Sequence, residues 1–252
     1  MPVPYLFPFF LFLCGLLVGS FANVCIYRLP RGQSIIWPPS HCPSCQAPVK
    51  PYDNIPLLSF LLLRGRCRAC RHPISWRYPL VEALNALLYL LVYSYYGFHL
   101  LTGIYALLLT ILLIVTFIDL EHKIIPDRIT LSGLLAGLLL NPLLPVSFFD
   151  ALLGGLIGGG IFLLVALLSR GGMGGGDIKL MAMLGVFLGW QRALLTIFLG
   201  VSSGALVGIV LMLLRKKGRK DQVPFGPFLA LGGMVALFWG EAIIAWYLSL
   251  HA

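Results

Sequence analysis

Long apolar runs alternate with short polar connections along most of this chain. Several of these runs approach or exceed the roughly 18 residues that a helix needs to cross a bilayer. They predict about eight transmembrane helices, at 5–27, 80–98, 101–118, 129–145, 148–168, 178–190, 193–214 and 225–248. The predicted fold class is therefore an all-α polytopic membrane protein, and 28–79 is the one connection large enough to fold by itself.

The composition agrees with a chain that is solvated mostly by lipid. Of 252 residues, 59% are hydrophobic and only 11% are charged, whereas a soluble domain has about 25% charged residues. The first apolar run follows no basic segment and has no clearly separated cleavage site. It is therefore predicted to be a retained transmembrane helix and not a secretory signal peptide.

The basic residues are distributed unevenly between alternate connections. If the N-terminus is extracytoplasmic, every lysine and arginine except Arg192 falls in 28–79, 119–128, 169–179 or 215–224. Lys/Arg bias in short loops sets membrane orientation, so these connections are predicted to be cytoplasmic and both termini extracytoplasmic. The net charge of +9 then reflects topology and contact with lipid headgroups. It does not require a nucleic-acid partner.

Two cysteine pairs mark segment 28–79 as a metal-binding insert. Cys42 and Cys45 form one C-x-x-C pair, and Cys67 and Cys70 form the other. Two such pairs can bind one tetrahedral Zn²⁺ through four thiolates, and the metal replaces a hydrophobic core that a segment this short cannot easily build. The alternative, two disulfides, conflicts with a reducing cytoplasm. Because four thiolates fill the coordination shell, the zinc is expected to be structural.

The sequence thus predicts three parts: a first transmembrane helix (1–27), the zinc-binding insert (28–79) and a membrane domain of about seven helices (80–252). The two remaining cysteines, Cys14 and Cys25, lie within the first helix and are interpreted as inert packing residues.

A glycine-dense loop, Arg170-Gly-Gly-Met-Gly-Gly-Gly-Asp177-Ile-Lys179, separates two apolar runs. Its glycines allow a sharp turn and a close approach of other groups. Asp177 stands where the next apolar helix begins. One interpretation is a helix cap, since carboxylates suit helix N-termini. The other is functional, because an ionisable group beside the lipid is costly to keep there.

Asp119 closes an apolar run at the same predicted membrane face. A carboxylate at a helix C-terminus faces the negative end of the dipole, so Asp119 has less structural justification than Asp127, which is placed to begin the following helix after Pro126. Glu82 is interpreted as a carboxylate at a helix start, favoured by the dipole. The role of Glu241, inside the last apolar run, is left open between a functional group and a partner for a buried polar group.

If Asp119 and Asp177 meet, they form a pair with specific chemistry. Two neighbouring carboxylates do not both ionise cheaply, so they share a proton. The ionised member can then take a proton from water, while the protonated member polarises a peptide carbonyl, as in aspartic proteases.

An ordered set of motifs along nearly the whole chain resembles the bacterial type IV prepilin peptidases, of the G-x-G-D aspartyl protease class. The motifs are Gly19-Ser-Phe-Ala-Asn23 with Tyr27-Arg-Leu-Pro30, the two C-x-x-C pairs, Asp53-Asn-Ile-Pro56, Leu63-Arg-Gly-Arg-Cys67, Arg77-Tyr-Pro-Leu-Val-Glu82, Phe117-Ile-Asp119 through Ile125-Pro126, Gly174-Gly-Gly-Asp177-Ile-Lys179 and Pro224-Phe-Gly-Pro-Phe228.

The resemblance implies an enzyme of the bacterial inner membrane with two activities. It would remove the basic leader of type IV prepilins and of type II secretion pseudopilins at the cytoplasmic face, and N-methylate the new N-terminal residue with S-adenosylmethionine. It makes Asp119 and Asp177 the catalytic pair, and Cys42, Cys45, Cys67 and Cys70 the zinc ligands. The chain carries no glycine-rich fingerprint of soluble methyltransferases, so no residue is assigned to the methyl donor.

Two other functions are weighed against this one. A membrane assembly factor or transporter would use the zinc insert to dock a partner and would not need the aspartates. A zinc protease would need an open ligand position, but the chain has no H-E-x-x-H motif and four thiolates leave no position open. The peptidase is preferred to both.

Overall fold

The structure is a computed structural model that describes residues 3–169, 172–214 and 223–250. The chain divides into two compact units, Met1–Ile114 and Val115–Ala252, each described by itself below. The helices are α1 (Val3–Arg28), α2 (Leu58–Leu62), α3 (Arg77–Tyr96), α4 (Leu100–His122), α5 (Asp127–Leu140), α6 (Phe148–Leu168), α7 (Gly175–Leu188), α8 (Trp190–Leu213) and α9 (Gly226–Ser249). Short 3₁₀ turns lie at Leu29–Arg31, Pro51–Asp53 and Asn141–Leu143.

The helix boundaries follow from local chemistry. Ser147 caps α6: its hydroxyl accepts the backbone N–H of Asp150 at 3.0 Å and donates to the Asp150 carboxylate at 2.7 Å, a reciprocal N-terminal cap. Gly189 separates α7 from α8 with a φ of 77°, a left-handed conformation that glycine adopts without a Cβ penalty. Each of these helices therefore starts or stops at a residue suited to that position.

In the first unit, α1 packs along α3 through small residues and buried amides. A Cβ on Gly15 would lie 2.7 Å from the Cα of Ala86, so the two backbones approach as closely as glycine allows. The buried Asn85 donates to the carbonyl of Gly15 at 2.8 Å and accepts the hydroxyl of Thr110 at 2.8 Å. These bonds tie three helices of the unit together and leave the amide satisfied away from water.

In the second unit, the closest helix contact joins α6 and α7. A Cβ on Gly154 would lie 2.3 Å from the carbonyl oxygen of Gly185. Small residues let transmembrane helices approach so closely that backbone atoms touch. The same unit holds α8 against α9, where a Cβ on Gly232 would lie 2.7 Å from the carbonyl oxygen of Thr196. Through the contact of Gly154 with Gly185, α7, which carries Asp177, packs closely against α6.

The structure confirms the all-helical fold and part of the predicted topology. Among the described residues, five segments are long and apolar enough to cross a membrane: Leu6–Arg31, Leu100–His122, Phe148–Leu168, Trp190–Leu213 and Gly226–Ser249. Helices α3, α5 and α7 overlap the other three predicted spans but are not both long enough and apolar enough to cross a membrane. The predicted span 129–145 is helical only to Leu140, because Pro142 lacks an N–H and a 3₁₀ turn takes over at Asn141–Leu143. Of the basic residues that set the predicted orientation, Arg170 and 215–220 lie outside the described residues.

The close contact of α6 with α7 predicts a large difference between two glycines of the same helix. In Gly154→Ala the new methyl group would meet backbone atoms of Gly185, so the helices must separate at a cost of about 1–3 kcal/mol. In Gly160→Ala nothing lies within 4 Å of the new Cβ, and alanine is the better helix former by about 1 kcal/mol. Thermal unfolding of the detergent-solubilised protein should show a lowered Tm for the first variant only; equal Tm values would contradict this packing.

Candidate active site and metal centre

The four predicted metal ligands lie together in the first unit. Their sulfur atoms are all within 4.8 Å of one another, and the Sγ atoms of Cys42 and Cys70 are 3.8 Å apart. A disulfide bond is about 2.05 Å long, and all four cysteines are free. Four sulfurs at about 2.3 Å from a tetrahedral Zn²⁺ are about 3.8 Å apart. The cluster is therefore spaced for one zinc ion and not for two disulfides.

The two C-x-x-C turns share one backbone geometry. The residue four positions after the first cysteine, Gln46 in one turn and Arg71 in the other, has a φ of 61° in both. Its N–H donates to the carbonyl of that first cysteine, at 2.9 Å to Cys42 and 3.0 Å to Cys67. Two equivalent turns present their sulfurs to a common centre, which is what a tetrahedral site requires.

Thiolate is the form that binds metal, and the cluster favours it at Cys42 but not at Cys70, whose pKa is raised to about 11 by burial and by hydrogen bonds with the other three thiols. The pKa of Cys42 is lowered to about 6, chiefly by the backbone N–H of Cys45. Nearby, Arg68 makes two hydrogen bonds to the carboxylate of Asp53, at 2.8 and 2.6 Å, and this contact lowers the pKa of Asp53. Because Arg68 lies between Cys67 and Cys70, the ion pair ties the second C-x-x-C turn to the preceding segment.

In the second unit, Asp119 lies at the end of α4 with only 6% of its surface exposed. Its Oδ2 accepts a hydrogen bond of 2.8 Å from the backbone N–H of Gly226, the first residue of α9. A Cβ on Gly226 would lie 2.9 Å from the same oxygen, so only glycine leaves room for this contact. The carboxylate thus sits at the N-terminus of α9, where the partial positive charge of the helix dipole favours an anion.

Asp177 lies in the first turn of α7, which begins one residue after Gly174, just before the predicted span 178–190. Burial and, second, the Asp119 carboxylate raise the pKa of Asp177 to about 6, and the backbone N–H of Gly174 partly offsets them. The effect of one carboxylate on the other means that they are close enough to interact. The structure therefore brings these two residues, distant in the sequence, to one place.

Ile125 packs between the two carboxylate-bearing segments. A Cβ on Gly176 would lie 2.7 Å from the Cβ of Ile125, and a Cβ on Gly226 would lie 3.2 Å from its Cδ1. This buried isoleucine fills the space beside both glycines. Neither Ile125 nor the N–H of Gly226 was singled out as a functional group from the sequence, because an apolar residue and a backbone group carry no chemical signature of their own.

The other acidic residues have partners outside the pair. Asp127 lies in the first turn of α5, as predicted, and its Oδ2 is 2.6 Å from the Nζ of Lys179. Glu82 lies in the second turn of α3, which begins at Arg77 and has no acidic residue in its first turn, so its predicted helix-start role is wrong. It is buried, and its carboxylate accepts the N–H of Leu57 at 2.8 Å, just before α2. Glu241 forms an ion pair with Arg192. That contact joins α8 to α9 and gives Glu241 a structural role.

Two family models match successive parts of the chain. A family model described as "Bacterial Peptidase A24 N-terminal domain" matches residues 13–96, and one described as "Type IV leader peptidase family" matches 106–209. The first match includes the four clustered cysteines, and the second includes both aspartates.

Three relatives share the name "Prepilin leader peptidase/N-methyltransferase". The protein of Aeromonas hydrophila is 42% identical over 98% of this chain and 96% of its own length. That of Pseudomonas aeruginosa is 40% identical over 94% of this chain and 92% of its own length. That of Legionella pneumophila is 37% identical over 96% of both. No solved structure matches the chain.

The cysteine geometry predicts a metal content that depends on these four residues alone. Cys42→Ser and Cys67→Ser should each lower bound zinc well below the one ion per chain expected of the unaltered protein, because three thiolates bind it more weakly. Elemental analysis of the purified full chain would measure this. Cys14→Ser, which alters an exposed cysteine of α1 outside the cluster, should retain the metal. Full occupancy in the Cys42 and Cys67 variants would overturn the assignment.

Proposed function

Because the chain belongs to the type IV leader peptidase family, we propose that it removes the leader peptide of prepilins and N-methylates the residue so exposed. The observation that carries the peptidase is the meeting of Asp119 and Asp177, a partly buried carboxylate pair from two segments of one unit. Relatives that share two-fifths of the sequence over nearly its full length support the same two activities.

Asp119 is proposed as the base of the pair. The N–H of Gly226 donates to its carboxylate at the start of α9, and a hydrogen bond to the charged form favours ionisation and partly offsets the cost of burying the charge. Asp177, whose pKa is raised by burial and by its neighbour, holds the shared proton. The two environments differ, and such a difference separates the acid from the base.

Hydrolysis then follows from these two roles. Asp119 takes a proton from a water molecule, whose oxygen attacks the scissile carbonyl, while Asp177 gives its proton to the carbonyl oxygen. The tetrahedral intermediate collapses when the proton on Asp119 passes to the leaving amine and the hydroxyl proton returns to Asp177. The peptide C–N bond breaks, one water is consumed, and both carboxyl groups regain their starting states.

The catalytic pair is proposed to face the cytoplasm in a protein that crosses the inner membrane eight times. The distribution of lysine and arginine supports this orientation. Helices α5 and α7 have 14 residues each, which is about 21 Å of helix against a hydrocarbon core of about 30 Å. Such short helices leave room for water to reach Asp177, in the first turn of α7.

The substrates are proposed to be type IV prepilins and type II secretion pseudopilins, with S-adenosylmethionine as the methyl donor. The cysteine cluster holds a structural zinc, since its four thiolates leave no ligand position for water. Both the leader and the cytoplasmic face are basic, so long-range attraction does not bring them together. Recognition therefore depends on the apolar helix of the substrate packing between transmembrane helices.

The carboxylate pair predicts that Asp119→Asn or Asp177→Asn lowers the rate of leader cleavage by about 10²–10⁴-fold or more, because an amide cannot replace either proton-transfer role. Mass spectrometry of a prepilin incubated with the purified protein and a labelled methyl donor would report leader loss and methyl addition separately. Asp150→Asn, which changes a carboxylate in the α6 cap of the same unit, should cleave normally. Cleavage that survives both substitutions would overturn the pair as the catalytic centre. No cleavage by the unaltered protein, with function in the cell lost only in the cysteine variants, would favour an assembly factor or transporter.

The recognition argument predicts that a soluble leader peptide spanning the scissile bond, but lacking the apolar helix, is cleaved far less efficiently than full-length prepilin. The difference should appear in KM, because the missing contacts position the substrate and do no chemistry. Kinetics with the two substrates in the same detergent would measure it. Equal kcat/KM values would show that the helix plays no part in recognition.

A further inference from the structure

Taking the catalytic pair proposed above as the premise, we propose that Asp127 and Lys179 are positioning residues whose ion pair holds the two aspartate-bearing segments in register. Neither residue is assigned to the chemistry of cleavage. Their effect on the reaction would pass through the distance between the carboxylates of Asp119 and Asp177.

The ion pair joins the two segments directly. The Nζ of Lys179 lies 2.6 Å from the Oδ2 of Asp127, a short, charge-assisted contact. Lys179 follows Asp177 by two residues in the first turns of α7, and Asp127 opens α5 after the short connection that leaves α4. The contact therefore links the chain just beyond one carboxylate to the chain just beyond the other.

A second contact acts between the same segments on the buried side. Ile125, two residues before Asp127, packs against Gly176, the residue before Asp177. The apolar contact and the ion pair fix the α4–α5 connection to the start of α7 at two points. Together the two contacts restrict both sliding and rotation of the α4–α5 connection against α7, which one contact alone would not do. A shift of this connection would displace Asp119, since α4 ends at His122 only a few residues before Ile125.

The position of Lys179 argues against a direct catalytic role. Residues two apart on a helix point in different directions, so the side chain of Lys179 does not share a face with that of Asp177. Its hydrogen-bond acceptor is Asp127, and both side chains are partly exposed, 37% for Lys179 and 57% for Asp127. An exposed pair adds little to the stability of the fold, so its loss should leave the protein folded and be felt mainly in the geometry of the site.

The test uses the full chain in detergent, with steady-state cleavage of full-length prepilin. Asp127→Asn and Lys179→Gln should each lower kcat by about threefold to fivefold with KM nearly unchanged, because a weak exposed contact changes only how often the carboxylates are correctly placed, and misplaced reacting groups react far more slowly. The double variant should be no slower than either single variant, since both remove the same contact. Lys179→Arg and the charge-exchanged Asp127→Lys/Lys179→Asp should recover a large part of kcat. Glu241→Gln, which breaks the α8–α9 ion pair of the same unit, serves as the control and should leave kcat unchanged.

The Tm of every variant is measured beside its kinetics. The positioning role would be overturned if the losses of kcat add in the double variant or are not recovered by the exchanged pair. It would also be overturned if the variants change KM and leave kcat unaltered. A kcat loss that parallels a lowered Tm and is matched by Glu241→Gln would also overturn it, because it would then reflect general destabilisation. If Asp119→Asn and Asp177→Asn abolish cleavage while the Asp127 and Lys179 variants keep full kcat, the positioning role fails and the catalytic pair stands. If Asp119→Asn and Asp177→Asn leave cleavage intact, the catalytic pair itself fails.

Discussion

The repulsion between two carboxylates at the edge of a membrane is the constraint on which the second unit depends. Neither charge is easily left in a poorly solvated place, and together they oppose each other. The fold offsets this cost with fixed groups: the N–H of Gly226 at the start of α9 for Asp119, and the glycine loop and first turn of α7 for Asp177. The close contact of α6 with α7 at Gly154 and Gly185 then keeps the second carboxylate from moving away. Packing far from the pair thus sustains its chemistry.

In the first unit, the feature that needs stabilising is the short insert that carries the four cysteines. The insert 28–79 lacks the length to bury a substantial apolar core, so four clustered cysteines and a network of backbone hydrogen bonds define its structure. The bidentate contact of Arg68 with Asp53 connects the second cysteine turn to the remainder of the insert. Glu82 extends this organisation to α3, because its buried carboxylate accepts the N–H of Leu57. The cysteine cluster, the ion pair and the carboxylate stand where a soluble domain would use a hydrophobic core.

The parts of this protein that sequence reasoning predicts are those with a local signature. The C-x-x-C spacing predicts the cysteine cluster, and apolar run length predicts the five long helices. Asp119 and Asp177 stand out because a carboxylate is costly beside lipid, although only the fold brings them together. Three other features depend on which helices are neighbours. They are the contact of Glu241 with Arg192, the packing of Ile125 beside two glycines, and the hydrogen bond from the N–H of Gly226. No single-sequence pattern contains that information. Pro142 is a local signal for the early end of α5, but the prediction from the length of the apolar run extends the helix past it.

The near-identical geometry of the two cysteine turns has a consequence for biogenesis. All four ligands precede α3 in the chain, and each turn is closed by hydrogen bonds among its own few residues. The ligand set is therefore complete once Cys70 has left the ribosome, while the seven later helices have yet to reach the insertion machinery. A metal bound there would need no ligand from the rest of the polypeptide, so this segment could acquire it on the nascent chain, ahead of the later helices.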